Sequence, residues 1–316
     1  MLVWAAPGCA LRQAESDDSG LIEMTPRNSP MTQASHRPPS IMAIQALQGR
    51  TQMLAYSQLP WMFGRLPCVT TNYGETLLLD TGMDVSAHVT VDIAREQKFP
   101  THLGRYGDVA YVNSLRLGQL NVRGFTAMVD DRQWELALFD QPIFRVRAWT
   151  LGCSVLQYSN FLAFDNRKCQ ATIGLQAFVP ANLYPAKTTQ WTSYQMYFLR
   201  RRPWVRIPVA GGVMDILADS GGGPRLILRP EQWEQLATRV VVEKRGEDSY
   251  PSWYGMRPVD VYVVKELTFG PLTLTHEPIW VRRVDEDPAP PTFGLGMLPN
   301  AVGVWDFENR KFWVGS

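Results

Sequence analysis

Apolar residues run directly into a single acid at two places along the chain. In the first, residues 77–79 (Leu-Leu-Leu) lead into Asp80, and in the second, residues 216–218 (Ile-Leu-Ala) lead into Asp219. A short apolar run that ends in a turn signal predicts a buried strand that delivers its last side chain into a tight turn. A hydroxyl residue and a glycine follow each acid, so the two turns are Asp80-Thr81-Gly82 and Asp219-Ser220-Gly221.

The two acid turns belong to a longer internal repeat with an offset of 139 residues. After each turn the pattern predicts a short strand and then a helix, at 90–99 in the first half and at 229–237 in the second. A Tyr-Gly pair and a period-two apolar segment come next, followed by a hairpin with glycine at its turn. Because these features recur in the same order, the chain is predicted to be a duplicated β-rich domain.

The end of each half is repeated as well. An apolar residue and a glycine, Leu151-Gly152 and Leu295-Gly296, precede a last hairpin whose turn contains Asn-Arg-Lys. Alternating residues on either side of this turn predict half-buried strands. We therefore divide the chain into a tail at 1–44, a first lobe at 45–190 and a second lobe at 191–316.

These repeated motifs resemble those of the aspartic peptidases of the pepsin and retropepsin type. The resemblance rests on the Asp-Thr-Gly and Asp-Ser-Gly turns, the two apolar-Gly pairs and the closing hairpins, and it spans roughly residues 60–316. The spacing within each lobe is similar to that of the retropepsin unit, whereas two lobes on one chain is the pepsin arrangement. The resemblance implies an all-β, bilobal bacterial protein with two pseudo-symmetric lobes, each a six-stranded-type β-barrel with a short helix.

The resemblance also implies an aspartic endopeptidase that acts on peptide or protein substrates without a cofactor or metal. A water held between Asp80 and Asp219, one from each lobe, would be the nucleophile. Two carboxyls this close do not both ionise, so one can act as acid and the other as base. The resemblance assigns supporting roles to the hydroxyls of Thr81 and Ser220, which bond across the lobes, and to Gly82, Gly221, Gly152 and Gly296, which leave room around the acid turns.

A hairpin flap that covers the cleft and presents a tyrosine is another feature of pepsin-like enzymes. Tyr106 and Gly107 are the best match in the first lobe, and Tyr254 is the counterpart in the second. An ordinary surface turn would explain the same residues, and this alternative stays open. If both hairpins are flaps, both could close over a substrate, as the two flaps of a retropepsin dimer do.

The chain departs from the family after each motif glycine. Met83 and Gly222 stand where Ala, Ser or Thr is usual. Neither side chain donates a hydrogen bond to a carboxylate, so the charged form of the acids loses a stabilising donor, and we expect a pH optimum less acidic than that of gastric pepsins. A second interpretation also stays open, in which a catalytically silent scaffold of this fold binds peptides or a protein partner.

Charge and cysteine content bear on the remaining function classes. The chain has 31 basic and 30 acidic residues and a net charge of +1, so no electrostatic footprint indicates nucleic-acid binding. The one basic cluster, at 200–202 with Arg206, is interpreted as part of a solvated linker between the lobes. No Cys-x-x-Cys or His-Glu-x-x-His spacing predicts a metal site. A disulfide between Cys153 and Cys169 stays open.

The N-terminal segment leaves two alternatives for localisation. Its first ten residues are similar to the end of a bacterial lipoprotein signal, with Cys9 as the lipid-anchor site and a periplasmic or cell-surface location. The alternative is an unstructured tail on a cytoplasmic protein. Residues 10–40 are rich in Ser, Pro, Thr and Asp, which indicates disorder or a propeptide. We expect a monomer whose lobes are related by an internal pseudo-dyad.

Overall fold

The described part of the chain is built almost entirely from β-strands. The structure is a computed structural model of the 316-residue chain, and its described residues form 24 strands and four short α-helices. The predicted all-β fold class with few helices is therefore confirmed. The described residues are 9–12, 43–46, 51–55, 66–104, 107–130, 134–138, 141–146, 148–183, 189–222, 226–252, 255–283 and 289–316.

The elements are named in chain order. The strands are β1 Cys9–Arg12, β2 Ala43–Ala46, β3 Thr51–Ala55, β4 Cys68–Thr70, β5 Thr76–Asp80, β6 Ala87–Thr90, β7 Thr101–Gly104, β8 Gly107–Leu117, β9 Leu120–Asp130, β10 Trp134–Leu138, β11 Gln141–Val146, β12 Ala148–Gly152, β13 Phe161–Asp165, β14 Gln170–Gly174, β15 Trp191–Leu199, β16 Arg202–Val209, β17 Gly212–Ala218, β18 Leu226–Leu228, β19 Val242–Ser252, β20 Gly255–Phe269, β21 Leu272–Arg282, β22 Thr292–Phe293, β23 Val302–Asp306 and β24 Lys311–Gly315. The helices are α1 Val91–Glu96, α2 Cys153–Leu156, α3 Pro180–Leu183 and α4 Pro230–Ala237, and Leu295–Met297 forms a 3-10 helix.

The first acid-bearing strand, β5, lies inside the sheet of the first lobe. The strand order of this sheet is β4-β5-β12-β6-β9-β8-β7, with β2 paired to β9. Strand β5 is antiparallel to β4 and parallel to β12. Leu77 and Leu79 are fully buried, and burial of two leucines on one face stabilises the strand by a few kcal/mol, about 1.5–3 for each side chain. Asp80 therefore emerges from the core at the carboxyl end of a buried strand, as the apolar run predicted.

The second lobe repeats the same pairing around β17. Strand β17 is antiparallel to β16 and parallel to β22; β22 is antiparallel to β18, which is parallel to β21. In the first lobe, likewise, β5 is antiparallel to β4 and parallel to β12; β12 is antiparallel to β6, which is parallel to β9. The predicted duplication is thus present in the hydrogen-bond pattern of the sheets as well as in the motifs.

Each lobe carries its predicted helix after the strand that follows the acid turn. Helix α1 begins after Thr90, whose side chain accepts the amide N–H of Ile93 at 3.4 Å as an N-cap. Helix α4 begins at Pro230, and proline suits the first helical position because its missing N–H would have no partner there. Trp233 of α4 stacks on Tyr262 of β20 with ring centroids 4.2 Å apart, which fixes this helix against the sheet.

A continuous path of six strands, β3-β14-β13-β23-β24-β15, joins the lobes. Strands β13 and β23, from the closing hairpins of the two halves, pair antiparallel. Phe164 and Trp305 pack edge to face across this pair, and both are fully buried. The indole N–H of Trp305 also donates to the carbonyl oxygen of Ala218 at 3.1 Å. The indole hydrogen bond therefore ties the end of β17, directly before Asp219, to the packed pair of β13 and β23.

One interpretation of the sequence is wrong in the structure. The Arg-rich segment between the lobes is not a linker but the hairpin β15–β16, whose turn is made by Arg200 and Arg201 at φ angles of 51° and 61°. Most of the tail predicted at 1–44, as a disordered segment or a signal or propeptide remnant, lies outside the described residues; of its described parts, β1 pairs with β10, and β2, which begins in it, pairs with β9. Cys9 is the first residue of β1.

Among the cysteines whose side chains the structure describes, Cys68, Cys153 and Cys169 form no disulfide. The bridge between Cys153 and Cys169 that the sequence left open is therefore absent. No helix within the described residues has the length and apolar character needed to cross a membrane. The lobe boundaries at 45, 190 and 191 stay predictions.

Candidate active site

Asp80 is the last residue of β5, and the turn that follows holds its carboxylate. The amide N–H groups of Gly82 and Met83 donate to Oδ1 of Asp80 at 2.8 and 3.1 Å. Only 9% of the residue is exposed. Met83, which replaces the small or hydroxyl residue usual in the family, therefore still contributes its backbone donor, while its side chain is buried.

Asp219 follows β17 and meets Asp80 where the two acid turns approach each other. The amide of Asp219 donates to the carbonyl oxygen of Phe293 at 3.0 Å, which ties the acid turn to β22. The two carboxyl groups are hydrogen-bonded to each other. The predicted pairing of Asp80 and Asp219, 139 positions apart, is therefore the geometry that the structure has.

The motif glycines allow this approach because each lies against the carboxylate of the opposite lobe. A Cβ atom added to Gly82 would stand 2.1 Å from Cγ of Asp219, and one added to Gly221 would stand 2.5 Å from Cγ of Asp80. No side chain fits at such distances, which are shorter than any ordinary van der Waals contact. The two turns thus cross each other in the pseudo-symmetric manner that the repeat predicts.

Thr81 and Ser220 lock the two turns together with four hydrogen bonds. The amide of Thr81 donates to Oγ of Ser220 at 2.9 Å, and the amide of Ser220 donates to Oγ1 of Thr81 at 2.9 Å. Each hydroxyl then donates across the lobes, from Thr81 to the carbonyl oxygen of Ala218 at 2.7 Å and from Ser220 to that of Leu79 at 2.6 Å. Both side chains are fully buried, so these bonds are shielded from water.

Gly152 lies where predicted, but its counterpart in the second lobe is Gly294 and not Gly296. The register of β12 on β5 places Gly152 opposite Asp80, and a Cβ on Gly152 would be 2.0 Å from the carbonyl oxygen of Val85. The register of β22 on β17 pairs Ala218 with Phe293, so the next residue, Gly294, stands beside Asp219. Gly296 falls two residues further on, inside the 3-10 helix.

Burial and mutual proximity raise the pKa of both acids. For Asp80 burial is the largest cause, followed by the charge of Asp219 and the hydrogen bond between the carboxyls, and its pKa lies well above the usual range. Burial also raises the pKa of Asp219, but the hydrogen bond from Asp80, the amide of Gly221 and the charges of Arg282 and Arg202 oppose this effect. The two carboxyls therefore titrate as a coupled pair, and the arginine charges act on the Asp219 side of it.

One carboxylate oxygen of the pair is left as an acceptor. Oδ1 of Asp219 is buried and accepts no hydrogen bond within the described part of the chain. A buried carboxylate oxygen has lone pairs that need donors, so this atom can accept a hydrogen bond from a molecule in the cleft. Within the described residues, no three His, Cys, Asp or Glu side chains come together as a ligand set for a metal ion.

The predicted flap residues are only partly described. Tyr106 and Tyr254 lie outside the described residues. Gly107 begins β8 at a φ of 126°, a conformation that favours glycine, and it is exposed. The hairpins on which these residues were predicted are present as β7–β8 and β19–β20, and the second is the longer one, with pairs from Val242 to Ser252.

Sequence reasoning gave no site role to Arg202, which it placed in the basic cluster at 200–202, and did not single out Arg282. Neither is close to Asp219 along the chain, and neither belongs to a motif, yet both act electrostatically on its carboxylate. The one signal available in the sequence was a comparison of the two halves of the repeat, in which the corresponding positions of the first half carry no arginine.

The comparisons with known proteins give similarities of structure only. No protein-family model and no curated protein match the chain. The fold is similar to that of conglutin gamma from lupine seeds, with a TM-score of 0.49 and 10% identity over 85% of this chain and 95% of that one. It is similar to an aspartic proteinase from Irpex lacteus, with a TM-score of 0.44 and 12% identity over 84% and 97%. A retropepsin-like aspartic protease from Rickettsia conorii gives a TM-score of 0.29 and 10% identity over 40% of this chain and 93% of that one.

Proposed function

We propose that this protein is an aspartic endopeptidase in which Asp80 and Asp219 activate a water molecule for attack on a peptide bond. The observation that carries the proposal is the pairing of two carboxyls in direct hydrogen-bond contact, held by reciprocal bonds between Thr81 and Ser220. Burying a carboxyl is costly unless it is paired or hydrogen-bonded, and a scaffold that only binds a partner has no physical need for two buried acids held against each other.

The proposed chemistry returns both acids to their starting state. The carboxylate of Asp219 takes a proton from water as the water oxygen attacks the carbonyl carbon, and the protonated Asp80 gives its proton to the carbonyl oxygen. In the second half, Asp219 gives its proton to the amide nitrogen, the C–N bond breaks, and Asp80 takes a proton from one hydroxyl of the tetrahedral intermediate. The products are a carboxylic acid and an amine.

A peptide or protein chain is the proposed substrate. The two acids lie where the turns of the lobes cross, and the hairpins β7–β8 and β19–β20 belong one to each lobe. We propose that these hairpins are flaps that cover an extended substrate from both sides, with Tyr106, Gly107 and Tyr254 near their tips.

The test is cleavage of a mixed peptide library by the purified full chain across pH 3 to 8. We expect cleavage that Asp80→Asn and Asp219→Asn each lower by about 10²–10⁴-fold and that a statine-type inhibitor blocks. Asp92→Asn, which removes an acid from the exposed side of α1, is the matched control and should cleave like the unsubstituted protein. Absence of cleavage at every pH, with the fold intact, would contradict the proposal and would favour a silent scaffold that binds peptides or a protein partner.

A further inference from the structure

We propose that Arg202 and Arg282, both from the second lobe, are positioning residues that hold the negative charge of the acid pair on Asp219 and leave the proton on Asp80. This inference deepens the proposed function and rests on it for its meaning in catalysis. The unequal charge on the two acids can be measured by titration, without any substrate being cleaved.

The register of β16 on β17 leads from Asp219 towards Arg202. Strands β16 and β17 are antiparallel with Trp204 opposite Leu217, and continuing this register by two residues brings Arg202 opposite Asp219. Nε of Arg202 is buried and donates no hydrogen bond to a described residue. A guanidinium in this position interacts with the carboxylate through a poorly screened medium, where charges act strongly on each other.

Arg282 belongs to β21, which lies on the other side of β17 from β16 in the strand order, and its charge also acts on Asp219. It ends β21, is only 4% exposed, and donates to the carbonyl oxygens of Ala289, at 3.1 Å, and of Pro290. Its Nη2 also lies 3.5 Å from Oγ1 of Thr292. Thr292 is paired with Leu217, two residues before Asp219. The guanidinium is therefore fixed by backbone acceptors in the layer beside the acid.

The first lobe has no counterpart to either arginine. Strands β4 and β5 pair Cys68 with Leu78, and continuing this register by two residues places Leu66 opposite Asp80. Leu66 therefore occupies the first-lobe position that corresponds to Arg202. In the first lobe β6 pairs with β9 as β18 pairs with β21 in the second, so that Val129 corresponds to Val281. The next residue along the strand is Asp130 in the first lobe and Arg282 in the second. Within the part of the chain that the structure describes, the two acids thus differ in their cross-strand positions, with an arginine on the side of Asp219 and a leucine on the side of Asp80.

Two further described groups lie near the acids or the arginines, and neither of them adds a negative charge. Cys153 is fully buried, and burial, reinforced by the charges of Asp80 and Asp219, raises the pKa of its thiol, so it carries no charge there. Burial lowers the pKa of the Arg282 guanidinium, and the positive charge of Arg229, which donates to the same Ala289 carbonyl at 3.1 Å, lowers it further. The pKa of Arg282 is about 10, so it stays charged at pH 3 to 8.

The arginines also compensate for a missing donor. Met83 and Gly222 have no side-chain hydroxyl to donate to the carboxylates. Two nearby guanidinium groups favour the charged form of Asp219 by their field instead, because a positive charge lowers the pH at which a carboxyl ionises. Removing either charge should therefore raise the pH at which the pair loses its first proton.

The experiment compares Arg202→Gln and Arg282→Gln with Arg202→Lys and Arg282→Lys, and with Arg201→Gln and Arg283→Gln as controls from the adjacent residues. The acid limb of kcat/KM against pH should move upward by about one unit for each Gln variant. The Lys variants, which keep the charge, should move less, and the controls should not move. A Gln profile that coincides with that of the unsubstituted protein would overturn the proposal.

A second readout separates this inference from the proposed function. The full chain labelled with 13C at the aspartate carboxyls is titrated by NMR, and the signals of the pair are assigned by their loss in Asp80→Asn and Asp219→Asn. The Gln variants should shift the first ionisation of the pair upward even if no peptide is cleaved, in which case only the proposed function fails. If Arg282→Gln does not fold, Arg202→Gln alone carries the test, and an unshifted titration in that variant overturns the proposal.

Discussion

Thr81 and Ser220 are hydrogen-bonded to each other in both directions, since the amide of each donates to the side-chain oxygen of the other at 2.9 Å. Each hydroxyl also donates to a carbonyl of the opposite lobe, so one residue serves as both donor and acceptor across the interface. The contact fixes the positions of the two acids from both sides at once.

Replacing either hydroxyl residue should therefore destabilise the protein. Ser220→Ala leaves the buried amide of Thr81 and the carbonyl of Leu79 without their partners, at a cost of about 1–3 kcal/mol in the free energy of unfolding. The same loss is expected for Thr81→Ala, whereas Thr81→Ser keeps the hydroxyl and should cost less. Urea unfolding monitored by tryptophan fluorescence measures this difference, and equal stabilities of Thr81→Ala and Thr81→Ser would contradict it.

A methyl group on either motif glycine should disrupt the acid pair without unfolding the chain. In Gly82→Ala the new Cβ would stand 2.1 Å from Cγ of Asp219, so that carboxylate must move. A misplacement of about 1 Å at reacting groups can lower kcat/KM by about a hundredfold. Gly246→Ala is the matched control, because a Cβ at that position meets nothing within 4 Å. Similar activity in the two variants would show that the turns do not approach as described.

The raised pKa of Asp80 predicts a stability that falls as the pH rises. A carboxyl whose pKa is higher in the folded state binds its proton more tightly there, so its stabilising contribution is complete below the unfolded pKa of about 3.9 and is lost as the pH rises through the folded value. Burial is the main cause of the shift.

Asp80→Asn removes this titration. The variant should gain stability relative to the unsubstituted protein between pH 4 and pH 7, measured by urea unfolding at both values. Asp92→Asn on the exposed side of α1 should show no such trend. A constant difference between Asp80→Asn and the unsubstituted protein across this range would mean that Asp80 is not held in a raised-pKa state.

Much of the fold was predictable because the apolar pattern of each segment and the internal repeat of the chain predict the same strands and helices. The apolar runs before Asp80 and Asp219 are the strands β5 and β17, and the predicted helices are α1 and α4. Alternation of apolar and polar residues sets which face of a strand is buried, so these elements follow from the sequence with little help from tertiary contacts.

Other features depend on register, which the motifs do not determine. The segment Phe293-Gly294-Leu295-Gly296 contains two apolar-Gly pairs in succession, and only the pairing of β22 with β17 selects Gly294. The turn of β15–β16 consists of two arginines at positive φ, a conformation uncommon for residues other than glycine, so it carried no turn signal. Arg202 and Arg282 reach Asp219 only through strand pairing, and no spacing in the chain indicates this.

The central claim is that Asp80 and Asp219 act as one unit, and a double-mutant comparison tests it most directly. The measurement is kcat/KM for one cleaved peptide with Asp80→Asn, Asp219→Asn and the double variant. If the acids share one water and one proton, each single substitution should lower kcat/KM by about 10²–10⁴-fold, and the double variant should be no worse than the singles. Losses that multiply in the double variant, or a single variant that retains full activity, would contradict the account.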